Sequence, residues 1–275
     1  MSATNSISPE KLFRLVGTPN CPAIVDVRPE AEQLLPASSL RRAEEVHDWA
    51  GSFAGRKVVA SCFHGKERSA GVAAILRAEG IDAEVLEGGF ASWRAAGLPA
   101  IDAGKLPTRD AAGRTVWVTR SRPKVDRIAC PWLIRRFVDP DAMFLYVAPS
   151  EVAGVAEKFG ATPFDVDGVF WSHRGDKCSF DTMIEEFGLS SIGALDRLAL
   201  IVRGADTASP EIAPQASGLL AASLGLSRMY SEDLEQLEAG MLLYDAFYRW
   251  CRDAVDETHD WVSHKPKQAR QLENA

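Results

Sequence analysis

The chain has 275 residues, 46% of them hydrophobic and 25% charged, with a formal net charge of −7. That mixture belongs to an ordinary globular protein long enough for two domains, and it excludes a disordered, collagen-like or disulfide-scaffold chain. The acidic balance argues against nucleic acid as a partner, because phosphate contacts need a basic face. No apolar run approaches the roughly 20 residues that span a bilayer, so no membrane partner is expected. The opening MSATNSISPEKLF lacks a basic and then apolar leader, giving a cytoplasmic expectation.

In chain order, Ala23–Val27 and Lys57–Ser61 read as short apolar strands. Ser69–Glu79 has helical spacing, and Ala83–Leu86 reads as a further strand before Gly88-Gly89. Strands alternating with helices predict an α/β layer around a largely parallel sheet over 1–104. Between Gly97 and Thr115 the periodicity stops, with Pro99, Pro107 and three glycines, so the boundary falls there, with 105–115 as the linker.

From 116 to 255 the texture is mainly helical, an α+β domain. Helices are expected over Asp126–Phe137, Pro149–Phe159, Phe180–Phe187, Ser191–Gly204, Pro214–Leu224 and Glu232–Val255, and strands over Met143–Val147 and Phe164–Val169. Leu234, Leu237, Met241, Tyr244 and Tyr248 mark one face of the last helix. Residues 256–275 form a polar tail, where His259 and His264 are poor ligand candidates. The five cysteines contain no C-x-x-C pair; Cys130 and Cys251 lie in apolar helices and read as core.

The most informative segment is Cys62-Phe63-His64-Gly65-Lys66-Glu67-Arg68-Ser69, placed between strand and helix. Backbone N–H groups converge at such a junction and the helix dipole is positive there, so with Arg68 they should lower the Cys62 thiol pKa. The same cradle suits a tetrahedral oxyanion or a persulfide, with Gly65 supplying a positive-φ turn. His64, Lys66, Glu67 and Ser69 complete the candidate anion-binding loop.

Together with Asp26-Val27-Arg28 and the segment EGGFASWRAAGLP, this loop resembles a rhodanese-like domain. The resemblance implies that Cys62 accepts a sulfane sulfur and passes it to a thiol acceptor, with no cofactor required. It implies a structural role for Asp26 and Arg28 more than a catalytic one. Cys62 to Arg68 spans seven residues, where sulfurtransferases of the family commonly have six. The longer loop is similar to those of phosphatases and arsenate reductases of the same fold, which leaves a second enzymatic reading open: an oxyanion phosphatase or reductase.

The strings WVTRSRPKVDRIACPWLIRRFVDPDAMFLYV, CSFDTMIEEFGL, LALIVRGAD and LEAGMLLYDAFYRWCR look like the C-terminal domain of chromate-resistance (ChrB-type) proteins. That resemblance links the chain to chromate or oxyanion stress and opens a non-enzymatic reading as a chromate or redox sensor. Two constellations support ligand binding there. Arg120, Arg122 and Lys124, with Arg127 able to join them, suit an oxyanion, against a plain solvated face. His173, Cys178, Asp181 and Glu185 offer donors for a transition metal, zinc or iron. In the plainer reading Cys178 and Asp181 only serve the helix terminus; Asp206 could approach the arginines or a metal, against the plainer role of ending a helix.

Overall fold

The computed structural model describes residues 5–257; His259, His264 and the tail beyond lie outside the described residues. In the first domain five parallel strands stand in the order Ser6–Ile7, Ala83–Leu86, Val58–Ser61, Ala23–Asp26, Ser38–Leu40. The two middle strands are fully buried, which explains their unbroken apolar runs, since both faces of the sheet are covered. Helix Glu67–Ala78 packs on Val58–Ser61 and Ala83–Leu86 through Val72, Ala73 and Leu76. The carboxyl end of the Val58–Ser61 strand therefore feeds straight into the cysteine loop, where α/β sheets hold their ligands.

The expected linker is a fastened turn. Asp110 accepts hydrogen bonds from the backbone N–H of Ala112 and Arg114 and from the Arg114 guanidinium, and Arg109 bridges to Thr115. Buried Asp139 then takes both the N–H and the hydroxyl of Thr115 at 2.7 Å.

The second domain has a small parallel sheet, Thr162–Pro163, Val116–Arg120 and Met143–Val147, with Val116–Arg120 central. Helices Asp126–Leu133, Ser179–Glu186, Gly193–Asp206, Ala216–Met229 and Asp233–Asp253 make up its bulk. Two sequence expectations need correction. The strand over Phe164–Val169 is replaced by a turn: Asp165 sits at φ 51°, and pairing resumes only as the Phe164–Trp171 bridge. The helix expected to Phe137 changes at Ile134–Val138 into a π-helical turn. Pro131, inside the preceding helix, has no N–H to donate, and the Arg127 carbonyl is taken by the Tyr146 hydroxyl at 2.8 Å.

One apolar cluster runs through both domains. Leu12, Val16 and Trp93 belong to the same apolar cluster as Trp132, Phe137 and Tyr248. Gly17, at φ 79°, lets the first domain close on the second; a Cβ there would stand 2.3 Å from the Phe137 ring. Ala37 N–H donates to the Phe137 carbonyl at 2.7 Å, and Arg252 donates to the Arg14 carbonyl at 3.0 Å.

Candidate active site

Cys62 follows the last residue of its strand and is 7% exposed. Its sulfur lies 3.1 Å from the Ser69 hydroxyl, which sits one turn into the following helix. Burial opposes ionisation, but the Ser69 hydroxyl and the backbone N–H groups of Ser69, Lys66 and His64 outweigh it, so the thiol is held below its ordinary value. In the thiolate the hydroxyl donates to sulfur, and every group that stabilises the charge is fixed by the loop and the first helical turn.

The loop is shaped by a second segment. Gly65 (φ 66°) and Gly89 (φ 60°) lie back to back: a Cβ on Gly65 would stand 2.5 Å from the Leu86 carbonyl, and one on Gly89 2.2 Å from the Cys62 carbonyl. Phe90 and Ala91 N–H, at the start of helix Gly89–Ala95, donate to the Cys62 and Phe63 carbonyls at 2.9 Å. The EGGF segment thus turns the carbonyls of the loop outward into a partner helix and leaves its N–H groups facing the sulfur.

Asp26 and Arg28 are structural. Their buried ion pair measures 2.5 Å; Arg28 also donates to the Gln33 carbonyl and stacks 3.9 Å above the Phe90 ring. Arg68 differs from expectation. As the second residue of its helix it leaves on the solvent side, donating to the Val27 carbonyl at 3.4 Å and standing 3.6 Å from Glu44. Ser69 and the backbone, rather than Arg68, lower the Cys62 thiol. Arg68 still lines, with His64, Lys66, Glu67 and Arg28, a depression of about 250 Å³ over Cys62. His64 is exposed, edge-on to Phe63 with ring centroids 4.7 Å apart.

The arginine constellation of the second domain does not converge. Arg122 caps the end of helix Ala216–Met229, donating to the carbonyls of Ser227, Tyr230 and Ser231, and Lys124 is exposed. Arg120 stands with Arg127 instead, both on Asp165 at 3.5 and 3.3 Å. The strand ends at Arg120, and the positive φ of Arg122 turns the two side chains apart.

The four expected metal donors also separate. Asp181 accepts from the Cys178 N–H and thiol and forms a 2.6 Å ion pair with Arg203, while Glu185 is paired with Lys177 on the surface. Burial first, then Asp126 and Asp181, push the Cys178 thiol far up. His173 points elsewhere: its Nε2 lies 3.2 Å from Asp206, 3.4 Å from Asp165 and 3.6 Å from Asp126. Asp126 is fully buried, and its Oδ2 accepts from the N–H groups of Ser179 and Phe180. Burial, then Asp206 and Asp165, raise the Asp126 carboxyl; burial, then Asp165, raise that of Asp206. A hydrogen bond with Asp165, followed by the fields of Asp126 and Asp206, carries His173 up to about 9. Of this cluster the sequence indicated His173 and allowed Asp206; Asp126 and Asp165 carry no spacing signal.

Residues 8–96 match the family model described as a rhodanese-like domain, and residues 117–251 match that of ChrB, C-terminal domain. A curated relative, Protein ChrB of Cupriavidus metallidurans, is 37% identical over 155 residues, covering 53% of this chain and 44% of that protein. The chain thus spans less than half the length of that relative. A solved rhodanese-like domain protein from Staphylococcus aureus is 32% identical with a TM-score of 0.31, covering 33% of this chain and 91% of its own. For a rhodanese-related protein from Thermoplasma volcanium the values are 26%, 0.32, 35% and 97%.

Proposed function

For a chain that joins a rhodanese-like domain to a ChrB C-terminal domain, we propose a cytoplasmic sulfurtransferase that works through a Cys62 persulfide and serves resistance to chromate or related oxyanion stress. The observation that carries this reading is the lowered Cys62 thiol, held by the Ser69 hydroxyl and three loop N–H groups in a shallow cradle. A thiolate is the nucleophile in sulfur transfer, and the Ser69 hydroxyl and loop N–H groups favour that form of Cys62.

With thiosulfate as donor, the Cys62 thiolate attacks the outer sulfur. The new S–S bond forms as the donor's S–S bond breaks, and sulfite leaves with the electron pair. The terminal sulfur of the persulfide then takes the place of the thiolate among the same N–H donors. A thiolate acceptor, or cyanide, attacks that sulfur and returns Cys62 as thiolate, so no net oxidation of the protein occurs. Intact mass after incubation with thiosulfate tests this. One added sulfur atom, removed by cyanide and absent in Cys62→Ser, is the expected result; no added sulfur on the wild-type chain overturns it.

One observation favours a second reading. The seven-residue span from Cys62 to Arg68 opens under a depression lined by Lys66 and Arg68, cations suited to a phosphate or arsenate oxyanion. Turnover of a phosphate ester or arsenate by a chain that takes no sulfur from thiosulfate would select it.

A further inference from the structure

His173, Asp126, Asp165 and Asp206 come from four separate segments: the loop before helix Ser179–Glu186, the start of helix Asp126–Leu133, the turn after Thr162–Pro163 and the end of helix Gly193–Asp206. They meet around a single imidazole nitrogen. A single Nε2–H can serve one acceptor, yet three carboxylates stand 3.2–3.6 Å from that nitrogen. Two donors each about 2.1 Å from one ion, at tetrahedral or octahedral angles, lie roughly 3.0–3.4 Å apart. The nitrogen-to-carboxylate spacings fall at or just above that range, and one atom each of Asp126, His173 and Asp206 lie within 4.8 Å of one another.

A second observation points the same way. Asp126 is 0% exposed; its Oδ2, the oxygen 3.6 Å from His173, accepts from two backbone N–H groups, while its Oδ1 has no hydrogen-bond partner. A buried carboxylate oxygen left so is costly unless a cation or donor takes it. Arg120 and Arg127 are directed at Asp165, the Nε of each without a hydrogen-bond partner, and among the described residues neither forms an ion pair with Asp126. Asp165 is thereby paired within the protein, Asp206 accepts from the Asp126 N–H at 3.4 Å and feels the Arg127 charge, and Asp126 faces the imidazole as the deepest carboxylate of the cluster. The His173 side chain is 41% exposed, so the cluster has a route to solvent.

We propose that Asp126, His173 and Asp206 ligate one divalent first-row transition-metal ion in the ChrB-type domain, with coordination positions left open on the His173 side. Two carboxylates and one imidazole suit Zn²⁺, Mn²⁺ or Fe²⁺; the nitrogen ligand disfavours Mg²⁺ and Ca²⁺, which prefer oxygen. Three protein ligands with free positions describe a site that presents the ion to a small ligand instead of sealing it. Loading replaces the Nε2 proton of His173, so uptake releases a proton and weakens as pH falls. This site differs from the His173, Cys178, Asp181 and Glu185 set suggested by sequence: it keeps the histidine and changes every other ligand.

The test is calorimetric titration of the chelator-treated full chain with Zn²⁺, with Mg²⁺ as the comparison. One equivalent of Zn²⁺, at least tenfold tighter than Mg²⁺, retained in Cys62→Ser and weakened tenfold or more in both Asp206→Asn and His173→Ala, is expected. Asp126→Asn also disturbs the capping of helix Ser179–Glu186, so the other two variants carry the decision. No stoichiometric Zn²⁺, binding unchanged in both variants, or Mg²⁺ bound equally well would each overturn the proposal. So would a His173 imidazole that titrates near 9 by NMR whether or not Zn²⁺ is present, since the proton would then be the cation the cluster holds.

Discussion

Cys62 and Cys178 both lie ahead of a helix and both are buried, Cys178 as the N-cap itself and Cys62 at the far end of the loop that leads to the cap Lys66. Their chemistry is opposite. Around Cys62 the loop N–H groups and the Ser69 hydroxyl face the sulfur, and the thiol ionises early. Around Cys178 the first-turn acceptor is the Asp181 carboxylate, with buried Asp126 close by, and the thiol is held protonated as a donor to Asp181. A helix N-terminus therefore does not make a cysteine nucleophilic by itself. What decides is whether the orphan N–H groups are left for the sulfur or are claimed by a carboxylate.

The largest expected effect tests this directly. Cys62→Ser should abolish sulfur loading while moving the thermal midpoint by no more than a few degrees, and iodoacetamide at neutral pH should modify Cys62 in the folded wild-type chain while sparing Cys178. Peptide mapping that finds Cys178 alkylated as fast as Cys62 breaks the comparison. Next, Gly89→Ala drives a Cβ into the Cys62 carbonyl at a positive-φ position. It should cost about 2 kcal/mol or more in denaturant unfolding and remove sulfur loading as well, because the loop cannot keep its N–H groups inward.

On the other side of the comparison, Asp181→Ala strips the partner from Arg203 and the first-turn acceptor from Cys178. A loss of about 3 kcal/mol is expected in chemical denaturation, with sulfur loading at Cys62 intact. The smallest effect sharpens the account of Cys62. Ser69→Ala removes one charge-assisted hydrogen bond and should raise the thiol. The sign follows from the thiolate being the reactive form: the loading rate near neutral pH falls several-fold and recovers as pH rises. A pH profile that does not move would assign the lowered thiol to the backbone alone.

The cysteine loop was legible because its parts are local. Strand, Cys62, Gly65, Ser69 and helix lie within one short stretch, and the Gly88-Gly89 segment that clamps them has a composition few other structures require. Arg68 was misread for a reason of geometry. Its place in the loop is clear from sequence, but the direction in which a first-turn helical side chain leaves depends on Val27 and Glu44, which come from other strands and turns. The second domain shows the same limit more strongly. Arg120 and Arg122 share a face only while the chain stays extended, and the positive φ at Arg122 ends that.

By itself the sequence determined the α/β order of the first domain, the helical character of the second and the loop that surrounds Cys62, because strand runs, helical periodicity and turn glycines act over a few neighbouring residues. Only the tertiary structure decided that His173 meets Asp126, Asp165 and Asp206, that Cys178 is spent on a helix cap, and that both domains close on one apolar cluster through Gly17. Carboxylates far apart in the chain acquire a common field only when packing removes the water between them, and no spacing along the sequence records that.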